Sequence, residues 1–122
     1  SMEGNDITNQ SDRRLKLNIK ATDISSLEEI NSMTFVEFDR TNGNHDEIGV
    51  IAQDTPSLAL YDSDRDMWSI NSSKQIMMNS HAIQQLYFEF DERVESNEEK
   101  IHKLQQELSK ANLRIEELES AI

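Results

Sequence analysis

Apolar and polar residues follow two different rhythms along this chain, and the change between them falls near residue 72. From Ile83 onward the repeat takes alternating steps of four and three, through Ile83, Tyr87, Phe90, Val94, Asn97, Ile101, Leu104, Leu108, Ala111, Ile115, Leu118 and Ile122. That spacing predicts one long helix from about Ser72, free of Gly and Pro, with a coiled-coil seam from about residue 83. Placing Tyr87, Val94, Ile101, Leu108, Ile115 and Ile122 at a puts Ile83, Phe90, Asn97, Leu104, Ala111 and Leu118 at d. A helix of about 50 residues is roughly 75 Å long at about 1.5 Å per residue, far more than a head of about seventy residues covers. Most of the seam must therefore meet other chains.

Flanking charges bear on orientation, because in a parallel bundle a g residue faces the e residue five positions later on its neighbour. Arg93 with Glu98 and Arg114 with Glu119 are attractive, whereas Lys100 with Gln105 and Glu107 with Asn112 are neutral, so the set favours parallel, in-register chains. Asn97 interrupts the apolar seam, as expected of a residue that fixes register and strand number at a cost in stability. Tyr87 and Phe90 in the seam point to more than two strands; the repeat alone does not choose three.

Before the long helix the pieces are short and mostly alternating, which predicts an α+β head. Leu15, Leu17 and Ile19 alternate with Lys16, Asn18 and Lys20 as in a half-buried strand. Asp23 or Ser26 is expected to cap a short helix carrying Leu27 and Ile30, with Ser26 and Glu29 at capping-box spacing. Phe35 to Phe38 and Ile48 to Ala52 read as strands joined through Asn42-Gly43. Leu58 to Tyr61 and Trp68 to Ile70 read as a second pair around the acidic turn Asp62 to Asp66.

Composition sharpens this picture in one respect: apolar residues are only 35% of the 122 positions and many lie in the heptads, which leaves the head a thin core. The net charge of −12 argues against a nucleic-acid or anionic-membrane surface, and no apolar run approaches the roughly 18 residues that span a bilayer. Without cysteine the chain has no disulfide, thiol nucleophile or thiolate metal site. Asp62, Asp64 and Asp66 imitate the start of a calcium loop, but Met67 and Ser73 stand where Gly and a bidentate Glu are needed. His45, His81 and His102 lack metal-ligand spacing, and three glycines form no phosphate loop, so neither metal nor cofactor is expected.

Three blocks, in order, carry a resemblance. The run Ser11-Asp12-Arg13-Arg14-Leu15-Lys16-Leu17-Asn18-Ile19 resembles the opening signature of the peptidase S74 family, the self-cleaving intramolecular chaperone domains of phage tail spikes, tail fibres and neck appendages. Gly49-Val50-Ile51-Ala52-Gln53 is similar to the family's Gly-x-Ile-Ala-Gln segment, and Ala82-Ile83-Gln84-Gln85-Leu86 to its Ala-Ile-Gln-Glu-Leu.

The resemblance implies a parallel homotrimer that helps the preceding fibre or spike region of the same polypeptide to fold, then frees itself by autoproteolysis; the alternative is a non-cleaving cap that stays attached. It implies a precursor of a virion tail or appendage, in the host cytoplasm during assembly. On this reading residues 1–10 are a cloning scar and the end of the fibre, 11–71 the head and 72–122 the long helix. Family members use a Ser-Lys dyad, which carries over to Ser11 and Lys16, with the cut beside Ser11 among Gln10, Ser11 and Asp12. Arg13 and Arg14 are the cations expected to depress the lysine or steady an oxyanion. Where many members carry a His before the Gly-x-Ile-Ala-Gln block this chain has Glu47, with His45 the nearest imidazole as an accessory candidate.

Geometry adds a constraint. Fully extended, residues 11 and 16 point to opposite faces about 16 Å apart at roughly 3.3 Å per residue, so a dyad needs a bend near Asp12 or a lysine from another chain. Attack by Ser11 on the Gln10 carbonyl closes a five-membered ring and favours Gln10–Ser11 within one chain; attack from another subunit permits Ser11–Asp12.

Overall fold

Two polar caps set where the helices begin. Ser25 Oγ accepts from Glu28 N at 3.2 Å to start α1, Ser26–Ser32, and Asn71 Oδ1 accepts from Lys74 N at 3.0 Å to start α2, Ser72–Ser120. The computed structural model describes residues 10–122. Between the helices lie β1, Val36–Phe38, and β2, Glu47–Gly49, then β3, Ala59–Asp62, and β4, Met67–Ile70, with 3-10 turns at Arg13–Leu15 and Ala52–Asp54. The class is the expected α+β: a head of short elements followed by one long helix.

Each strand pair is a separate antiparallel hairpin. In the first, Val36 faces Gly49 and Phe38 faces Glu47, and Gly43 takes a φ of +101°, a left-handed conformation that Gly adopts without steric cost. Arg40 N donates to Asn44 O at 2.7 Å and Asn42 Oδ1 accepts from Asn44 N at 3.1 Å, so Asn42-Gly43 shapes the loop as expected. In the second, Tyr61 faces Trp68 with ring centroids 5.0 Å apart, and the Tyr61 hydroxyl donates to Asp66. Asp62 Oδ1 accepts from Asp64 N at 3.0 Å, which uses that carboxylate to close the turn; among the described residues no metal-holding cluster of acidic and histidine side chains forms.

The head's interior is small: Leu58, Met78 and Ala82 are its buried apolar residues, joined by buried Ser26 and Thr55. Thr55 Oγ1 donates to Ile51 O at 2.8 Å and Ser26 Oγ bonds His81 Nδ1 at 2.7 Å, so neither polar group is left unsatisfied. The covered face of α2 bears Met78, His81, Ala82 and Gln85, while Ile83, Tyr87 and Phe90 on the heptad stripe stay exposed. The chain exposes 11122 Å², against about 6,700 Å² for a compact monomer of its mass by size scaling. Among the described residues no helix is long and apolar enough to cross a membrane.

Two local expectations are corrected. Leu15, Leu17 and Ile19 do not form a strand: Arg13–Leu15 is a 3-10 turn, Asn18 sits at φ 54°, and all three apolar side chains are exposed. Among the described residues no strand pairs with this segment, and alternation alone builds no ladder. The cap of α1 is neither Asp23 nor Ser26 but Ser25, because the Ser26 hydroxyl turns inward to His81.

Candidate functional site

Asp12 has extended backbone angles, and its side chain caps the turn that begins at Arg13: Asp12 Oδ1 accepts from Arg14 N at 2.8 Å. The chain then bends, with Leu15 N donating to Asp12 O at 3.0 Å and Lys16 N to Arg13 O at 3.1 Å. A 3-10 turn shortens the path between residues 11 and 16 and rotates the later one back over the earlier. As a result Lys16 Nζ donates to Ser11 Oγ at 2.6 Å, within one chain. Hydroxyl and amine are thus in hydrogen-bond contact, a geometry in which an amine in its base form can take a hydroxyl proton.

Next to this pair Gln10, Ser11, Asp12, Arg14 and Leu15 line an open cleft. Arg14, and not Arg13, borders the cleft. Its guanidinium is held by Asp12 through Nε to Oδ1 at 3.1 Å and Nη2 to Oδ2 at 2.9 Å. That contact keeps the Asp12 carboxyl below its ordinary range and raises Arg14 further. The clamp is therefore complete above the ordinary carboxylate range and is lost only as pH falls through the lowered value.

Residues 11–59 match the family model Peptidase_S74, described as chaperone of endosialidase. Over that segment, which is most of the head, the chain is similar to the Peptidase_S74 family. No curated protein matches the chain. The S74 match begins at Ser11 and takes in the Gly49 to Gln53 block, which runs from the end of β2 into the 3-10 turn Ala52–Asp54. A Cβ on Gly49 would come within 3.3 Å of the Phe38 ring, a physical reason for glycine there.

Other residues singled out in the sequence lie apart from the pair. His45 stands in the β1–β2 loop with Nδ1 3.4 Å from Asp39 Oδ1, and Glu47 accepts from Arg40 Nε on both carboxylate oxygens at 2.9 Å. Among the described residues neither bonds Ser11 or Lys16. Asn97 is exposed on α2 at its heptad position. The Ala82 to Leu86 block lies beyond the matched segment and has a structural task the sequence did not disclose. Gln85 Oε1 accepts from Leu27 N at 3.0 Å and its Nε2 donates to Ile24 O at 3.4 Å, pinning α1 to α2 beside the Ser26–His81 bond. The available signal was the spacing of Met78, His81, Ala82 and Gln85, a second helical stripe behind the seam.

Proposed function

We propose that this chain is the self-releasing intramolecular chaperone of a phage fibre, spike or appendage: α2 joins three copies in parallel, the head assists folding of the region that precedes it, and Ser11 with Lys16 then cuts the polypeptide. The observation that carries the reading is the 2.6 Å contact from Lys16 Nζ to Ser11 Oγ. Assembly is supported by the heptad stripe of α2, whose apolar residues from Ile83 to Leu118 are exposed in the single chain. Asn97 fixes the register of that bundle. The family match supports the chaperone role, and the setting is a tail or appendage precursor during assembly in the host cytoplasm.

In the cut, the base form of Lys16 takes the Ser11 Oγ proton and the oxygen attacks the Gln10 carbonyl carbon through a five-membered ring. Arg14, which borders the cleft with its guanidinium held on Asp12, and Arg13 add a positive field that favours the charge developing on the carbonyl oxygen. Collapse breaks the Gln10–Ser11 C–N bond, with the proton delivered to the Ser11 nitrogen, and leaves an ester on Ser11 Oγ. Water then hydrolyses the ester to a Gln10 carboxylate and a chain beginning at Ser11. These steps balance with water as the only co-reactant.

The test is intact mass of the domain expressed behind its natural upstream segment, as wild type, Ser11→Ala and Lys16→Ala, with light scattering for assembly. Wild type alone is expected to lose a fragment ending at Gln10, with all three proteins trimeric. A new terminus at Asp12 instead moves the attack to a neighbouring subunit. Intact trimers in all three would make the domain a folding cap without chemistry and overturn the cleavage reading.

A further inference from the structure

Among the described residues, only local bonding holds the Ser11–Lys16 contact. Residues 10–24 are exposed throughout, and no helix, strand or other turn of the described chain packs against the 3-10 turn Arg13–Leu15. Among the described residues the bend is stabilised within residues 11–16, and one side chain supplies that stabilisation twice. Asp12 Oδ1 accepts from Arg14 N at 2.8 Å, satisfying an amide at the start of the turn, while Asp12 Oδ1 and Oδ2 together accept from the Arg14 side chain. The Ser11 hydroxyl and the Lys16 amine stand at the two mouths of the turn so capped.

We propose that Asp12 is a positioning residue for the dyad: its carboxylate folds the backbone so that Lys16 reaches Ser11, and it touches neither reacting group itself. Its bearing on catalysis rests on the self-cleavage reading; its bearing on geometry does not. Without the cap the segment relaxes toward extended chain, in which the two side chains point to opposite faces. The two halves of the carboxylate are separable. Asparagine retains a capping oxygen of the same reach and gives up the charge, whereas alanine gives up both.

Two readouts are taken on the full chain. The first is the cleavage rate behind the upstream segment. Asp12→Ala is expected to slow it by about five- to tenfold, the population change that corresponds to losing a cap of this kind, and Asp12→Asn to recover most of that loss. A residue needed only for its charge would give no such recovery. The second readout needs no cleavage: in a Ser11→Ala chain, hydrogen exchange of the Leu15 and Lys16 amides, which donate to Asp12 O and Arg13 O, reports how often the turn is formed. There too Asp12→Ala is expected to lower protection about fivefold, with Asp12→Asn within about twofold of the parent. An unchanged value in Asp12→Ala for protection, or for cleavage where the wild type cuts, overturns the proposal. A wild type that does not cut, with protection still lowered by Asp12→Ala, removes the self-cleavage reading and leaves the positioning role standing.

Discussion

Tyr61 is where a single contact has a pH signature. Its hydroxyl donates to Asp66 across the β3–β4 turn, and an anionic acceptor beside a phenol favours the protonated form, so its ionisation lies above the ordinary 10.0. The contact's contribution to the hairpin is fully present below the unfolded value and is lost as pH rises through the higher folded one. In a Tyr87→Phe background, absorbance titration of the remaining tyrosine is expected to show a midpoint above that of a model phenol. Asp66→Ala is expected to return it to about 10; equal midpoints in both chains would refute the contact. At this scale the sequence was partly legible. Ser11 and Lys16 stood out as a pair through the resemblance, and a bend near Asp12 was one of two ways to join them; its form was hidden, because Leu15, Leu17 and Ile19 mimic the period of a strand while the deciding bonds come from Asp12. Ser25 and Ser26 are adjacent and chemically equal, and only His81, 55 residues away, decides which one caps and which one is buried.

Among the elements, α1 is the one that depends on another. Seven residues are too few for a helix to persist alone, so its stability comes from α2. Gln85 is the principal polar tie, and truncating it leaves the half-buried Leu27 amide without its acceptor. Gln85→Ala is expected to destabilise the head by about 1–3 kcal/mol. Hydrogen exchange should speed up over residues 24–32, whereas the exposed neighbour Gln84→Ala should stay within about 0.5 kcal/mol of the parent. Equal protection of α1 in both variants would refute the tie. The heptads made α2 legible from Ser72 onward, and hairpin punctuation at Asn42-Gly43 and Asp62 to Asp66 placed both strand pairs to within a few residues. The covered face of α2 was hidden because His81 and Gln85 read as polar filler behind a strong seam.

For the whole molecule the governing quantity is uncovered surface. Leu58, Met78 and Ala82 are the buried apolar residues among those described, and under the proposed assembly the exposed stripe of α2 couples folding to association. The melting temperature is therefore expected to rise with protein concentration, and Asn97→Leu is expected to raise it further while loosening the choice of strand number, read by sedimentation equilibrium. A melting temperature independent of concentration across a hundredfold range would contradict that coupling. The long helix and its exposed stripe were legible in the heptads; the isolation of the two hairpins was not, because alternation says which face is apolar but not what covers it. Beyond Arg93 every residue of α2 is exposed, so the head touches this helix along one short stretch only. The property passed from head to tail is consequently angle rather than distance. Deleting seven residues from the far part would keep every remaining stripe residue in line, whereas deleting one would swing every later residue by about 100° around the axis. The shaft's reach is free to vary, and its phase is not.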